Sequence, residues 1–155
     1  GQQRTAFISL KESFMVEIYR VKDKEAMDLV YQIRREVFID EQGVPEELEM
    51  DGMDQDAIHV LAYVDGVPAG CGRMLLQGEE AKIGRVAVRK NMRRYGIGSG
   101  MCKLLIAIAG DNGVSKIHVN AQLTAVDFYL ALGFEKTSDI FMEAGIEHVK
   151  MEKSI

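Results

Sequence analysis

Apolar and polar positions along the chain follow two different periods, which together predict a mixed sheet with helices packed on its faces. Strict alternation or short apolar runs, typical of β-strands, occur in segments 14–21, 58–64, 67–76, 81–89, 116–122, 134–138 and 147–153. Helical spacing of apolar residues occurs in segments 23–38, 98–112 and 124–133.

Capping and turn residues suggest where several of these elements begin. Asp23 is a suitable N-cap for a helix that extends through about Phe38, and Thr124, with Asp127 at the capping-box position, is suitable for the last helix. The pair Asp65–Gly66 between two strands is a strong signal for a type I′ hairpin. Residues 40–56 form a polar, acidic connection.

The strand over residues 81–89 shows a slip in its alternation. Val86 and Val88 share one face, whereas Ile83 falls on the other, and Gly84 lies beside the slip. A β-bulge would produce this pattern. A strand buried on both faces would produce it equally well, because alternation then carries little information.

Composition and charge narrow the class of protein. The 155 residues suit a single domain spanning 1–155, and the net charge of -5 argues against binding to nucleic acid. The apolar run at residues 104–110 is too short to cross a membrane. Two cysteines do not make a disulfide framework. From these two observations together we expect a cytoplasmic protein with no membrane partner.

The glycine-rich stretch VAVRKNMRRYGIGSGM, residues 86–101, is the strongest chemical signal. It lacks the Gly-Lys-Ser/Thr of the Walker loop, and Met101 stands where the dinucleotide fingerprint needs its third glycine. Glycines before a helix nevertheless expose backbone N–H groups that bind oxyanions. From spacing alone, an anion site and a solvated basic turn remain equally open.

The particular residues of the stretch distinguish these alternatives. Arg93-x-x-Gly96-x-Gly98, between a Val-Ala-Val strand and an amphipathic helix, resembles motif A of the GNAT acetyltransferases. The segment AVDFYLALGF, residues 125–134, resembles the last helix of that superfamily, and IRREVFIDEQGVP, residues 33–45, resembles the first-helix region of a bacterial subgroup with poorly defined substrates.

The resemblance implies a fold and a donor. The expected fold is α+β, with a mixed, mostly antiparallel sheet of six or seven strands, helices on both faces and splayed central parallel strands. The expected co-substrate is acetyl-CoA, and no metal is expected. By resemblance, the cofactor-binding residues are Val86, Ala87, Val88, Arg93, Arg94, Tyr95, Gly96, Ile97, Gly98, Ser99 and Asn120.

The resemblance also implies catalytic roles. Tyr129 corresponds to the tyrosine that often protonates the departing thiolate. Glu41 follows the first helix where the family has its substrate cleft, so it is the preferred general base, and His59 is a weaker alternative. The acceptor is expected to be a small-molecule amine, and the acidic segment favours a cationic one.

Two alternatives to an N-acetyltransferase stay open at this stage. One is a GNAT module that binds an acyl-CoA for sensing or scaffolding, and the other is a transferase that uses a longer acyl-CoA. An intact Tyr129 and an intact glycine loop favour the enzyme. GNAT proteins are often dimers, so a homodimer is also an expectation.

Overall fold

A computed structural model describes residues 5–11, 13–93 and 95–155 of the chain. The strands are β1 (Ala6–Lys11), β2 (Phe14–Arg20), β3 (Ile58–Val64), β4 (Val67–Gln77), β5 (Glu80–Val88), β6 (Lys116–Gln122), β7 (Glu135–Lys136), β8 (Phe141–Glu143) and β9 (Ile146–Ser154). The helices are α1 (Lys24–Arg34), α2 (Glu46–Glu49), α3 (Ile97–Asp111) and α4 (Val126–Ala131). A π-helix, Arg35–Glu41, continues α1, and 3₁₀ turns occupy Asp54–Asp56, Lys90–Met92 and Leu123–Ala125.

One nine-stranded sheet runs through the described part of the chain in the order β1-β2-β3-β4-β5-β6-β9-β7, and β8 also pairs with β9. All neighbours are antiparallel except β5 and β6. The α+β fold is therefore as expected, but the count of six or seven strands is wrong. β1 and β8 are the additional strands. β8 has only three residues, and in β1 the apolar side chains of Ile8 and Leu10 lie at exposed positions, so neither segment shows the polar-out alternation of a half-buried strand.

Helices cover both faces of the sheet. The face that packs on α3 and α4 contains the larger core, with Ile18, Met74 and Ile83 among its fully buried residues. The opposite face packs on α1, and Leu61, Cys71 and Ala87 contact the α1 side chains there. Strand alternation separates the two cores because successive side chains point to opposite faces.

Several local predictions are confirmed by the backbone. Asp23 is the N-cap of α1, and its carboxylate accepts a hydrogen bond of 2.8 Å from the N–H of Ala26. Asp65 and Gly66 have φ of 47° and 81°, as a type I′ turn requires. The predicted cap at Thr124 is wrong, since a 3₁₀ turn precedes α4 and Ala125 is the N-cap without a side-chain hydrogen bond.

The first helix ends differently from the prediction. Its α-helical part stops at Arg34, and the backbone then widens into the π-helix that ends at Glu41. Apolar spacing over seven residues does not distinguish these two helix types. Because π-helical turns are rare and often found at functional sites, this one draws attention to the residues at its end.

No helix in residues 5–11, 13–93 and 95–155 is long and apolar enough to span a membrane.

Candidate active site

A cleft of about 1030 Å³ opens where β5 and β6 separate. The two strands pair in parallel only from Glu80 to Ile83 on β5 and from Lys116 to Val119 on β6. In the described chain the ladder ends there, so the edge of β5 from Gly84 onward carries no strand on that side. The expected splay of the central parallel strands is confirmed, and it forms the cleft.

A β-bulge in β5 begins the separation. Cys71 pairs with Ala87 and Arg73 pairs with Gly84, so Arg85 and Val86 together oppose the single residue Gly72. Arg85 adopts φ of 50°, in the left-handed region that non-glycine residues rarely occupy. The bulge that the sequence left open is therefore present. It redirects β5 away from β6.

The glycine loop leads into α3 at one end of this cleft. Gly96 is the N-cap of α3 and has left-handed backbone angles, with φ 69° and ψ 20°. The first hydrogen bond of the helix runs from the N–H of Gly100 to the carbonyl of Gly96, at 3.1 Å. The N–H groups of Ile97, Gly98 and Ser99 lie in the first turn, where the helix offers them no carbonyl partner. All three residues line the cleft. Such free N–H groups and the helix dipole favour an oxyanion such as a phosphate.

Glycine is suited to positions 98 and 100 of the loop for two different structural reasons. A Cβ at Gly98 would meet the Phe128 ring at 3.4 Å, which is ordinary contact, so packing alone does not require glycine there. A Cβ at Gly100 would meet Ile18 Cδ1 at 2.7 Å. Gly100 therefore permits α3 to approach the sheet, while Gly98 leaves its backbone accessible to the cleft.

Tyr129 lines the cleft from α4. Its ring packs edge-on against Phe128 and Phe134, at centroid distances of 4.9 and 5.5 Å. Burial raises the pKa of the Tyr129 hydroxyl well above its usual value, with a smaller contribution from Cys102. The hydroxyl is therefore protonated at neutral pH, as a proton donor must be.

Glu41 does not line the cleft, but it pairs with a residue that does. Its two carboxylate oxygens accept hydrogen bonds of 2.7 and 2.8 Å from Nη1 and Nη2 of Arg93. Arg93 also donates from Nε to the Val88 carbonyl at 2.9 Å. The hydrogen bonds from Arg93 lower the pKa of Glu41, so the carboxylate is ionised.

The acidic segment is largely neutralised by arginines from the sheet and α1. Arg34, only 1% exposed, forms a bidentate pair with Glu49 and bonds to Asp54 at 2.7 Å. Arg73 forms a bidentate pair with Asp51, with two bonds of 2.8 Å, and these bonds depress the pKa of that carboxyl. The predicted field of free carboxylates is therefore balanced by basic residues that the sequence analysis did not single out.

The third arginine of this cluster, Arg85, lies on the bulge and lines the cleft. Its Nη2 donates to the carbonyls of Leu48 and Glu49 at 3.2 and 3.1 Å and to Asp51 at 3.3 Å. Sequence reasoning missed Arg85. The bulge signal beside Gly84 pointed to this segment but gave no information about its side chains.

Amide and imidazole groups line the β6 side of the cleft. Asn120 donates to Glu143 at 3.2 Å, and Gln122 donates to Gln42 at 3.0 Å. The Gln42–Gln122 bond joins the end of the π-helix to β6. His148, 6% exposed, lies nearby with Nε2 at 3.6 Å from Glu143.

The structure brings most of the expected cofactor residues to one cleft. The members that line it are Val86, Ala87, Val88, Arg93, Gly96, Ile97, Gly98, Ser99 and Asn120. The Tyr95 ring instead packs edge-on against Phe14 at 4.7 Å, away from the cleft. Arg94 lies outside the described residues.

The other titratable candidates lie away from the cleft lining. His59 is buried, and its Nε2 donates to the Asp54 carbonyl at 2.9 Å. Cys71 and Cys102 are buried, and burial raises the pKa of each thiol to about 12. Within the described ranges, no group of three or more His, Cys, Asp or Glu residues is arranged to hold a metal ion.

Comparison with known proteins identifies the class. The model of the acetyltransferase (GNAT) domain family matches residues 19–155. The uncharacterized N-acetyltransferase YjcF of Bacillus subtilis is 36% identical over 133 residues, which cover 85% of this chain and 95% of YjcF. The chain therefore belongs to the GNAT acetyltransferase family and is an acyltransferase.

Solved structures show the same fold. An acyl-CoA N-acyltransferase from Pseudomonas aeruginosa superposes with a TM-score of 0.77 at 25% identity, covering 91% of this chain and 99% of that chain. A GNAT family acetyltransferase from Elizabethkingia anophelis, solved with acetyl-CoA bound, gives a TM-score of 0.72 at 18% identity, with 90% and 98% covered. The overall fold is thus shared with a GNAT acetyltransferase whose structure holds acetyl-CoA.

Proposed function

We propose that the protein is an N-acetyltransferase that moves the acetyl group of acetyl-CoA directly to a primary amine while both are bound. The observation that carries the proposal is the cleft between β5 and β6. It joins the free N–H groups of the α3 N-terminus, the unpaired edge of β5 and the protonated Tyr129. These are the groups that a phosphate, a thioester arm and a departing thiolate require.

The two ends of acetyl-CoA would use different parts of the cleft. Gly96, Ile97, Gly98 and Ser99 would hold the pyrophosphate through backbone N–H groups. Arg93 adds a cation beside them, the predicted Arg94 would add another, and Tyr95 can contribute only through its main chain because its ring packs on Phe14.

The unpaired edge of β5 would hold the thioester arm. The backbone of Val86, Ala87 and Val88 would hydrogen-bond the amides of pantetheine and place an N–H at the developing oxyanion. Asn120 would bind the arm from β6. The ladder ends at Ile83 and Val119, so the β5 edge beyond is open to such an arm.

Direct transfer needs two proton movements. Tyr129 would protonate the departing thiolate of coenzyme A. Glu41 would accept the proton of the attacking amine through water, after the pyrophosphate has drawn Arg93 away from its carboxylate. Neither Cys71 nor Cys102 suits a covalent intermediate, because both thiols are buried and protonated.

The acceptor is proposed to be a small-molecule amine. The acidic segment favoured a cationic acceptor, but its Glu49, Asp51 and Asp54 are paired with arginines, so little free negative charge remains there. The attacking amine itself is cationic before it loses its proton. The structure gives no reason to expect further positive charge on the acceptor.

The test has a binding arm and a turnover arm. Acetyl-CoA is expected to raise the thermal unfolding midpoint, because a ligand that binds only the folded state stabilises it, whereas ATP should not. A longer acyl-CoA that raises the midpoint more than acetyl-CoA would instead indicate a different donor. Binding without release of coenzyme A thiol in the presence of any amine would favour a sensing module.

Tyr129→Phe tests the proton donor. We expect turnover to fall by about 10²-fold, the scale of losing a general acid, while the acetyl-CoA dissociation constant changes by less than about twofold. Tyr63→Phe is the matched control, because Tyr63 lies on the α1 side of the sheet and does not line the cleft. Unchanged turnover in Tyr129→Phe would exclude the hydroxyl as the donor.

A further inference from the structure

Arg85 occupies an unusual position in the acceptor wall, the part of the cleft that is lined by Lys82, Arg85 and residues of the acidic segment. Its backbone is held in the left-handed region by the bulge, and it immediately precedes Val86, at which the proposed thioester site begins. A residue that is held at positive φ without being glycine is commonly fixed by its surroundings for a purpose. The bulge therefore places a guanidinium in the same cleft as the proposed thioester site.

The hydrogen bonds of Arg85 leave donors free. All its hydrogen bonds in the described structure come from Nη2, which contacts the carbonyls of Leu48 and Glu49 and one oxygen of Asp51. Nε is buried and has no hydrogen-bond partner among the described residues; the nearest Glu49 oxygen is 3.6 Å away. A buried donor without a close partner is costly, and Nη1 also makes no hydrogen bond within the described residues, so the guanidinium can take a further acceptor.

The carboxylates around Arg85 are already engaged. Glu49 pairs with Arg34, and Asp51 pairs with Arg73. The three carboxylates and three arginines of the cluster cancel in charge. Lys82, on β5 before the bulge, also lines the cleft and has no ion pair in the part of the chain that the structure describes. Lys82 therefore adds a positive charge to a lining that also contains the carboxylate of Glu143, which lies beside Asn120 and His148.

We infer that the acceptor amine carries a carboxylate, which binds to Arg85 through its unused donors and is neutralised by Lys82. The acceptor class is thus an amino acid or a related amino carboxylic acid. This inference rests on the proposed acetyl transfer, since it assigns the second substrate of that same cleft. A guanidinium is well suited to the task because its planar donors match the two oxygens of a carboxylate.

Apolar side chains also line this part of the cleft, beside the amide of Gln42. Phe38 and Val44 come from the π-helix and the turn after it, Leu48 and Met53 from the acidic segment, and Leu75 from β4. These side chains would surround the substituent of the acceptor. They favour an amino acid with an aliphatic or aromatic side chain over one with a polar side chain, because the wall offers apolar contact.

Matched acceptors test the inference in the wild-type protein, without any risk of misfolding. Thiol release from acetyl-CoA is measured with leucine, leucinamide and 3-methylbutylamine, and each kcat/KM is divided by the fraction of free amine. We expect leucine to exceed both analogues by about 10- to 100-fold, the scale of a charge-assisted hydrogen-bonded pair. Equal values for all three, or a preference for the analogues, would overturn the inference.

Two variants then assign the preference to named residues. Arg85→Gln is expected to raise KM for leucine and remove the preference for the acid, while the rates with 3-methylbutylamine and the affinity for acetyl-CoA stay within about twofold. Lys82→Gln is expected to reduce the preference partly. Arg35→Gln is the control, because Arg35 is exposed and pairs only with Glu46 among the described residues. A preference for leucine that persists in Arg85→Gln would refute the role of Arg85.

A binding measurement separates this inference from the proposed function. N-acetylleucine carries the carboxylate but no reactive amine, and its binding is measured calorimetrically with coenzyme A present. Binding that weakens at least tenfold in Arg85→Gln supports the carboxylate site, even if no amine is acetylated and the transferase proposal fails. Turnover of amines without discrimination for the acid keeps the transferase and overturns the carboxylate site.

Discussion

Glu41→Gln should tighten acetyl-CoA binding and slow acetyl transfer at the same time. Glu41 occupies both terminal nitrogens of Arg93, a cation that lines the cleft together with the loop proposed to bind the pyrophosphate. An arriving pyrophosphate must compete with this carboxylate for Arg93. The neutral amide of glutamine removes the competition but cannot accept a proton from the amine.

The size of the binding effect follows from the exposure of the pair. The side chains of Arg93 and Glu41 are 40% and 34% exposed, so the pair is a surface ion pair with good bidentate geometry. Such pairs contribute about 0.2–1 kcal/mol, and the bidentate contact favours the upper part of that range. Since 1.4 kcal/mol corresponds to about tenfold, the dissociation constant of acetyl-CoA should fall by about two- to fivefold.

The kinetic effect should be larger and opposite. Loss of a general base commonly costs about 10²- to 10⁴-fold in turnover, so kcat should fall while KM for acetyl-CoA does not rise. Glutamine has nearly the same shape as glutamate, which leaves the π-helix otherwise unchanged. Tighter binding together with slower turnover is a combination that general destabilisation would not produce.

Calorimetric titration of acetyl-CoA and thiol release with a single amine measure the two effects. Glu36→Gln is the matched control, because Glu36 lies on the same π-helix and pairs with Arg89 instead. The gain in affinity should shrink in high salt, where exposed charges are screened. In an Arg93→Gln background, Glu41→Gln should no longer change the affinity.

Either half of the reasoning can be refuted separately. An unchanged or weaker affinity for acetyl-CoA in Glu41→Gln at low salt would show that the carboxylate does not compete with the pyrophosphate. An unchanged kcat would show that Glu41 is not the base, whatever happens to affinity.

Three further predictions concern stability and cofactor access. Gly100→Ala should lower the unfolding midpoint, because the new Cβ would lie 2.7 Å from Ile18 Cδ1. Gly98→Ala should preserve the midpoint but weaken acetyl-CoA binding in titrations, because its Cβ makes only ordinary contact with Phe128 while the backbone of residue 98 faces the cleft. Arg34→Met should cost about 3 kcal/mol in denaturant unfolding, the lower end of the range for a broken buried pair. It removes the bidentate partner of the buried Glu49 and one of the two arginines that pair with Asp54. A loss under about 1 kcal/mol would contradict this. Burial lowers the pKa of His59 in the folded state, so the free energy of unfolding should fall as the pH drops below about 6.5, the pKa of the unfolded state. His59→Gln should make this decrease shallower in thermal melts recorded from about pH 7.5 to about pH 5.

The geometry of the glycine loop could be predicted because its signals are local in sequence. Arg93, Gly96 and Gly98 lie within six residues, and a short run of glycines before a helix largely determines its own backbone and its free N–H groups. The slip in alternation beside Gly84 likewise marked the position of the bulge, since strand alternation has a fixed period of two, although a strand buried on both faces explained it equally well. Each of these inferences needed no knowledge of distant contacts.

Other features needed the assembled chain. Seven residues of helical spacing fit either an α-helix or a π-helix, so the sequence could not place the change at Arg35 or direct Glu41 towards Arg93, 52 residues away. The predicted cap at Thr124 was overridden by the 3₁₀ turn from Leu123 to Ala125. Tyr95, next to the loop in sequence, was drawn to Phe14 by packing.

The charge balance of the acidic segment depended most on the tertiary structure. A run of carboxylates in the sequence indicates negative charge, but their field depends on which cations fold against them. Arg34, Arg73 and Arg85 come from α1, β4 and β5, and they meet Glu49, Asp51 and Asp54 only in the folded protein. The sequence by itself determined the glycine loop and the family it resembles, whereas the structure decided the charge balance around these six residues, because charge balance depends on distances that only folding sets.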